Sequence, residues 1–387
     1  MSQSQKMASS PAQLPTPDPS LPPSEAGDHC RLKLDDGCTF HSDDEAAIED
    51  EWLRIPDSLF YSIMSVEPVV NPNYKQSKAL SDPWVAETLR LSDKHAQKWA
   101  KLDIAYMSAI CAPRANLEVL KLMNDWNGWV FAFDDPFDEG AYTHDPIKAA
   151  EEVIHTLAVL DDLHPPVDAD ENPVRHALQS CWQRFSKLAP PQLRYRWKKQ
   201  LTTYAIGVLQ QVRVQGKADR RDGSKPPTVE EYMDYRAGCV GAYPCLGLME
   251  LAEGIDLPHK VVDHPALSGI ARVTVDLVTL QNDICSFKKD VDTGETANII
   301  FLLKDQGLTT QEATDRVGQM LTDCYRRWYS HLVALPYWDD SIDRQVLKYI
   351  EGCRNLALGN LTWSLYTPRY MGDQGQRVRD TRMIKLR

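Results

Sequence analysis

No run of about 18–20 uninterrupted apolar residues occurs in the 387-residue chain, so a membrane-spanning helix is not expected. The opening stretch, Met1 to Ser20, is polar and proline-rich and lacks the apolar core of a secretory signal. Export is not expected, and a cytoplasmic location is. No strongly basic stretch is longer than Arg194 to Lys199, and 55 acidic side chains outweigh 43 basic ones, giving a net charge of −12. A nucleic-acid partner, which needs a basic face to displace phosphate counterions, is therefore not expected. The nine cysteines are odd in number, contain no CxxC pair and sit in a chain too long to need disulfide staples. They read as reduced thiols. No fixed repeat of about 30–45 residues is present, which excludes a solenoid. Nor does a Ser-His-Asp, HExxH, GxxxxGK[ST] or GxGxxG arrangement offer a reaction centre.

What remains is the balance of an ordinary globular protein, with 43% hydrophobic and 25% charged residues. Residues 1–45 crowd Pro11, Pro15, Pro17, Pro19, Pro22 and Pro23 among Ser and Gln, and are expected to be a disordered tail. An acidic run, Asp43 to Glu51, follows, and Arg54 to Tyr74 reads as an irregular strap broken by Pro56, Pro68 and Pro72. From Ser77 onward apolar residues recur at three and four, with little strand-like alternation. The predicted fold is all-α. Candidate helices cover 83–101, 103–111, 116–138, 146–162, 172–187, 190–215, 228–252, 265–290, 295–304, 309–334 and 340–364. They belong to one helical domain over 46–372, with 373–387 as a C-terminal tail.

Two stretches carry chemistry. In Asn127-Gly-Trp-Val-Phe131-Ala-Phe-Asp134-Asp-Pro-Phe-Asp138, the residues Asn127, Phe131, Asp134 and Asp138 fall at i, i+4, i+7 and i+11, on one helical face. Asp134 and Asp138 would repel each other unless a divalent cation lay between them, and hard oxygen donors suit Mg²⁺ better than zinc. In the second stretch Asn282, Ser286 and Asp290 step by four along another helix, just after the apolar run Ile270 to Leu280. An amide, a hydroxyl and a carboxylate leaving a core helix in line need a partner, and all three can ligate Mg²⁺. Arg236, beside Gly238 and Gly241 that would loosen a helix, Lys289, and Arg369-Tyr370 add donors suited to a diphosphate.

Together these residues resemble the class I terpene synthases, specifically the microbial cyclases of fungal type, over about 55–372. Asp134-Asp-Pro-Phe-Asp138 is similar to the aspartate-rich motif of that family, and Asn282, Ser286 and Asp290 to its second metal motif. Lys289 matches the diphosphate-binding lysine, Arg236 the diphosphate-sensing arginine, and Arg369-Tyr370 the terminal pair. The resemblance implies a single helical bundle with a deep apolar pocket, three Mg²⁺ ions at its mouth, and an isoprenyl diphosphate substrate. Phe131 and Trp363 then fall on the pocket aromatics. Asp290 replaces the commoner Glu and reaches one methylene less far.

The expected reaction is ionisation of farnesyl diphosphate, release of diphosphate and cyclisation to a sesquiterpene hydrocarbon or alcohol, by a monomer or homodimer. Geranyl or geranylgeranyl diphosphate is the alternative substrate. A chain-elongating prenyltransferase would use two facing aspartate motifs, and Asp339-Asp-Ser-Ile-Asp343 is a second literal match. Directly after Pro336 and before an apolar-periodic helix, it reads instead as a helix cap with first-turn acids. A non-catalytic helical interaction protein has no use for two metal-spaced polar sets.

Overall fold

A computed structural model of the chain describes residues 52–138, 140–218 and 226–386; the proline-rich segment 1–45 and the acidic run Asp43 to Glu51 lie outside them. Strand β1 (Trp52–Arg54) opens the described chain. There follow α1 (Tyr74–Thr88), α2 (Asp93–Leu102), α3 (Ile104–Cys111), α4 (Leu117–Asp138), α5 (Pro146–Ala158), α6 (Pro173–Leu188), α7 (Pro191–Ala218) and α8 (Val229–Cys239). The second half contains α9 (Ala242–Ala252), α10 (His259–Val262), α11 (Pro265–Thr293), α12 (Ile299–Asp305), α13 (Thr310–Val333), α14 (Asp340–Ser364), α15 (Pro368–Met371), α16 (Gly375–Thr381) and strand β2 (Met383–Lys385). The fold is all-α, as the periodicity predicts. No helix among the described residues is long and apolar enough to cross a membrane.

Helix α11 is the axis of the packing. Ile270, Val273, Val275, Leu277, Leu280, Ile284 and Phe287 are all buried, and apolar residues on every side of a helix mark it as central. Helices α13 and α14 lie against it, α3 against α14, α1 against α4, and α8 against α7. Pro265 opens α11 at its first turn, and Gly294 closes it at φ 75°, a left-handed conformation natural to glycine. That sharp stop brings Glu295 and Ala297 back beside the polar end of α11.

Three departures from the predicted elements have local causes. The helix expected over 83–101 begins at Tyr74, absorbs Pro83, and then breaks into α1 and α2. Arg90 adopts φ 56° there, and Ser92 Oγ caps the new helix by accepting from His95 N. The helix expected over 228–252 breaks at Gly241, whose φ of 74° separates α8 from α9. The segment 373–387, expected as a tail, is folded over its described residues 373–386: β2 pairs antiparallel with β1, Trp52 opposite Lys385, and Val378, Ile384 and Leu386 are buried. Its apolar positions are too few to show a period.

Gly238 does not loosen α8. A Cβ on Gly207 of α7 would stand 2.4 Å from the Gly238 carbonyl carbon, so the two glycines allow α7 and α8 to touch backbone to backbone. That contact sets the position of Arg236, half a turn earlier. Gly207→Ala is expected to push α8 outward and to cost about 1–3 kcal/mol or more by overpacking, read as a lowered melting temperature. An unchanged melting temperature would contradict so close a crossing.

Candidate active site

The structure brings Phe131, Asp134, Asp138, Arg236, Asn282, Ser286, Lys289, Asp290, Trp363, Arg369 and Tyr370 onto the wall of one cavity. It holds about 1240 Å³ of atom-free space, counting the part open to solvent, and its inner wall includes Met107, Met123, Val130, Leu248, Val278 and Leu356. This is a deep apolar recess with a polar rim. The rim is built from five places. Helix α4 supplies Asp134 and Asp138, α8 supplies Arg236, α11 supplies Asn282 to Asp290, the turn after it supplies Glu295, and α15 supplies Arg369 and Tyr370.

On the α4 wall, Asp134 Oδ1 accepts from Tyr204 Oη at 2.8 Å, and Asp138 Oδ1 accepts from Gln211 Nε2. Burial pushes the Asp134 carboxyl up to about 6, with the neighbouring Asp135 charge adding to it. Burial also pushes Asp138 well above the usual range, reinforced by the charges of Asp134 and Glu295. Desolvation outweighs the opposing charge of Arg236 at both acids and of Arg369 at Asp134, so the pair is held toward its neutral forms.

On the α11 wall the polar groups are tied to one another. Ser286 Oγ donates to Asp290 Oδ2 at 2.6 Å, Asn298 Nδ2 donates to the same oxygen at 2.9 Å, and Lys289 Nζ lies 3.4 Å from Asp290 Oδ1. The short Asp290 side chain is therefore aimed by Ser286 and Asn298. Asn282 bridges the rim: its Oδ1 accepts from Arg236 Nη2 at 3.2 Å, and its Nδ2 donates to Tyr370 Oη at 2.9 Å. Arg236 Nη2 also donates to Asp283 Oδ1 at 3.1 Å. Asp283, 1% exposed, accepts in addition from Tyr232 Oη at 2.6 Å and Ile299 N at 3.0 Å. It anchors the guanidinium from behind.

The aromatic pair sits just inside the rim. The Phe131 and Trp363 ring centroids are 5.8 Å apart, and the Arg369 guanidinium lies 5.0 Å above the Phe131 ring. Trp363 Nε1 donates to the Leu102 carbonyl at 2.7 Å, and Thr367 Oγ1 donates to the same oxygen at 3.1 Å. The indole N–H is thereby spent on the frame, which fixes the ring. Arg369 Nη2 stands 3.5 Å from Asp135 Oδ1, linking α15 to α4 across the mouth.

The donor chemistry fits a hard divalent cation. Asp134, Asp138, Asn282, Ser286 and Asp290 offer oxygen only, and a cation between the walls would return the two raised carboxyls of α4 to their charged forms. Tyr204, Gln211, Asp283, Asn298 and Glu295 escaped the sequence reading. Asp283 alone carried a signal, as the acid between Asn282 and Ser286; nothing in local spacing links the others to α4 or α11. The second acidic triplet lies elsewhere: Asp339 Oδ1 accepts from Ser341 N and Ile342 N, and Asp343 Oδ1 from Trp338 N, so it caps α14.

Residues 125–327 match the family described as Terpene synthase family 2, C-terminal metal binding. Among characterised proteins, the chain is 62% identical over 365 residues to Terpene cyclase 4 of Gibberella fujikuroi, covering 94% of this chain and 98% of that one. It is 41% identical over 335 residues to the (+)-eremophilene synthase of the same fungus, covering 86% and 92%. Among solved structures, wild-type cucumene synthase superposes with a TM-score of 0.66 at 22% identity over 77% of this chain and 98% of that one. Germacradien-4-ol synthase of Streptomyces citricolor gives 0.66 at 20% identity over 77% and 96%, and both share the fold. On the family match and the two fungal relatives, the chain belongs to the terpene synthases and is a terpene cyclase of the fungal class I kind.

Proposed function

We propose that the chain is a Mg²⁺-dependent sesquiterpene cyclase that ionises farnesyl diphosphate. The observation carrying this reading is the juxtaposition of two oxygen-donor walls and four anion-binding donors around one mouth, directly above an apolar recess. Asp134 and Asp138 hold metal from α4, and Asn282, Ser286 and Asp290 from α11. Bound Mg²⁺ supplies positive charge to the diphosphate oxygens as the allylic C–O bond breaks.

The chain's own residues do the remainder. Arg236, Lys289, Arg369 and Tyr370 donate to the departing diphosphate and orient it over the recess. Phe131 and Trp363 line the recess, where an aromatic ring beside the allylic cation offsets its charge by about 0.5–2 kcal/mol. The buried apolar wall keeps water from it. The (+)-eremophilene synthase name of a 41%-identical relative supports a C15 substrate over C10 or C20.

The test is incubation of purified protein with C10, C15 and C20 isoprenyl diphosphates and Mg²⁺, with extraction and gas chromatography. Cyclised C15 hydrocarbon or alcohol is expected, abolished by a chelator and restored by Mg²⁺. Turnover only with another chain length would overturn the substrate assignment, and turnover in chelator the metal. Within the site, Asp290→Glu is expected to keep kcat within about 10-fold, since Asn298 and Ser286 can still aim a carboxylate there, whereas Asp290→Ala loses more. Equal losses in both variants would show that the wall admits only the shorter side chain.

A further inference from the structure

One turn beneath the aromatic pair the cavity carries a polar feature that the proposed metal and diphosphate chemistry does not use. Asn127 precedes Phe131 by four residues on α4, and Asn360 precedes Trp363 by three on α14; both line the cavity. Counting from Asp134, Asn127 lies about 10 Å deeper along the helix. Their surroundings are otherwise mostly apolar, with Met107, Met123, Cys245, Val278 and Leu356 nearby on the wall.

Both amides are oriented by their neighbours in the same sense. Asn127 Nδ2 donates to Ser108 Oγ at 3.0 Å, and the Ser108 hydroxyl points its own proton at the Ile104 carbonyl, 3.5 Å away. Asn360 Nδ2 donates to Gln281 Oε1 at 3.1 Å and faces the Val278 carbonyl at 3.5 Å. Turning Asn360 over would set its oxygen against the Val278 carbonyl, and turning Asn127 over would take the Ser108 hydroxyl away from the Ile104 carbonyl. Each NH₂ therefore faces the frame. Each Oδ1 accepts no hydrogen bond from the described residues, and neither is among the buried atoms sealed from open space. Asn127 as a whole is 5% exposed, so the cavity is where its oxygen looks.

We propose that Asn127 and Asn360 are specificity-determining residues whose carbonyl oxygens stabilise positive charge at one fixed depth of the cavity, and so steer which cation the cyclisation passes through. This rests on the reading that the cavity houses an isoprenyl carbocation. A neutral hydrocarbon filling the recess displaces water and leaves both oxygens without a partner, whereas a cation at that depth is attracted by two inward dipoles. The two states are thus separated in energy by the protein, the condition for selective stabilisation of an intermediate. A held water could donate to the same two oxygens, and labelling from ¹⁸O water separates that account from direct stabilisation of the cation.

Calorimetry separates charge from shape. Wild type, Asn127→Leu and Asn360→Leu, near-isosteric and without the dipole, are titrated in Mg²⁺ and diphosphate with a tertiary-ammonium analogue of a cyclised C15 cation and with its neutral carbon isostere. Each variant is expected to lose about 10-fold in affinity for the ammonium while holding the neutral isostere within about 2-fold. Its product mixture is expected to shift toward less rearranged skeletons. Equal loss for both probes, or none for the ammonium, would overturn the proposal. So would a product hydroxyl labelled from ¹⁸O water in wild type and lost in the variants with ammonium affinity intact, which would assign the asparagines to a bound water. Asn127→Ala and Asn360→Ala, which introduce no bulk, carry the same readouts if a leucine variant does not fold. Failure of the substrate reading shows separately, as wild type that cyclises no farnesyl diphosphate; C10 and C20 ammonium analogues then repeat the comparison.

Discussion

Asp134→Ala is expected to lower kcat by at least about 10²-fold, several kcal/mol of lost charge stabilisation, with the substrate bound but not ionised. The expectation follows from where the carboxylate stands. It stands half-buried on the α4 wall, its carboxyl pushed up to about 6 by desolvation, and its charged form gains most from a cation placed between the walls. The alanine also removes the acceptor of the buried Tyr204 hydroxyl, costing about 1–3 kcal/mol of stability that has nothing to do with catalysis. Asp134→Asn separates the two effects, since its amide oxygen still accepts from Tyr204 while the charge is gone. Both variants should lose turnover, measured as diphosphate released, and only the alanine should lose melting temperature. A second reading is the midpoint of Mg²⁺ activation, which should move to higher concentration in both. Turnover near that of wild type in Asp134→Asn would overturn the assignment of this side chain to metal.

The rim was legible in the sequence because its members repeat along single helices. Asp134 and Asp138 on α4, and Asn282, Ser286 and Asp290 on α11, are spaced by the helical period itself, so their common face needs no knowledge of the fold. Arg236, Arg369 and Tyr370 have no such periodicity, and it is the resemblance of the whole set to a known pattern that tied them to the site. The contacts that aim these groups were not legible. Tyr204 and Gln211 reach α4 from α7, and Asn298 reaches Asp290 from the start of α12. Such pairings depend on how two helices cross, and at α7 and α8 that crossing is set by two glycines which look, in sequence, like weak points. At Gly241 the glycine suggests a loosened helix and not a complete break, because the apolar period continues through it and only the backbone conformation interrupts the helix. The strand pair at the two ends of the described chain is three residues on each side, too short for alternation to register.

Arg236→Met should produce two losses that a second substitution can pull apart. The guanidinium holds Asn282 on the rim through Nη2 and is the ion partner of Asp283, whose side chain is 1% exposed. Without it Asp283 keeps the Tyr232 hydroxyl and the Ile299 amide but loses its counter-charge. Breaking a buried pair from one side costs about 3–5 kcal/mol, because the remaining charge stays buried and uncompensated. Denaturant unfolding of Arg236→Met should show a loss of that order. Adding Asp283→Asn removes the stranded charge while leaving an oxygen for Tyr232 and Ile299, so much of the stability should return. Turnover should not return with it, because the donor that meets diphosphate is still missing; a deficit of about 10²-fold in diphosphate release is expected in both the single and the double variant. Asp283→Asn alone should keep the donor and lose less turnover than either, with its effect appearing in the positioning of Arg236 and hence in KM for the diphosphate. If the double variant regained stability and turnover together, Arg236 would be a structural partner of Asp283 and nothing more, and the anion-binding part of the rim would rest on Lys289, Arg369 and Tyr370.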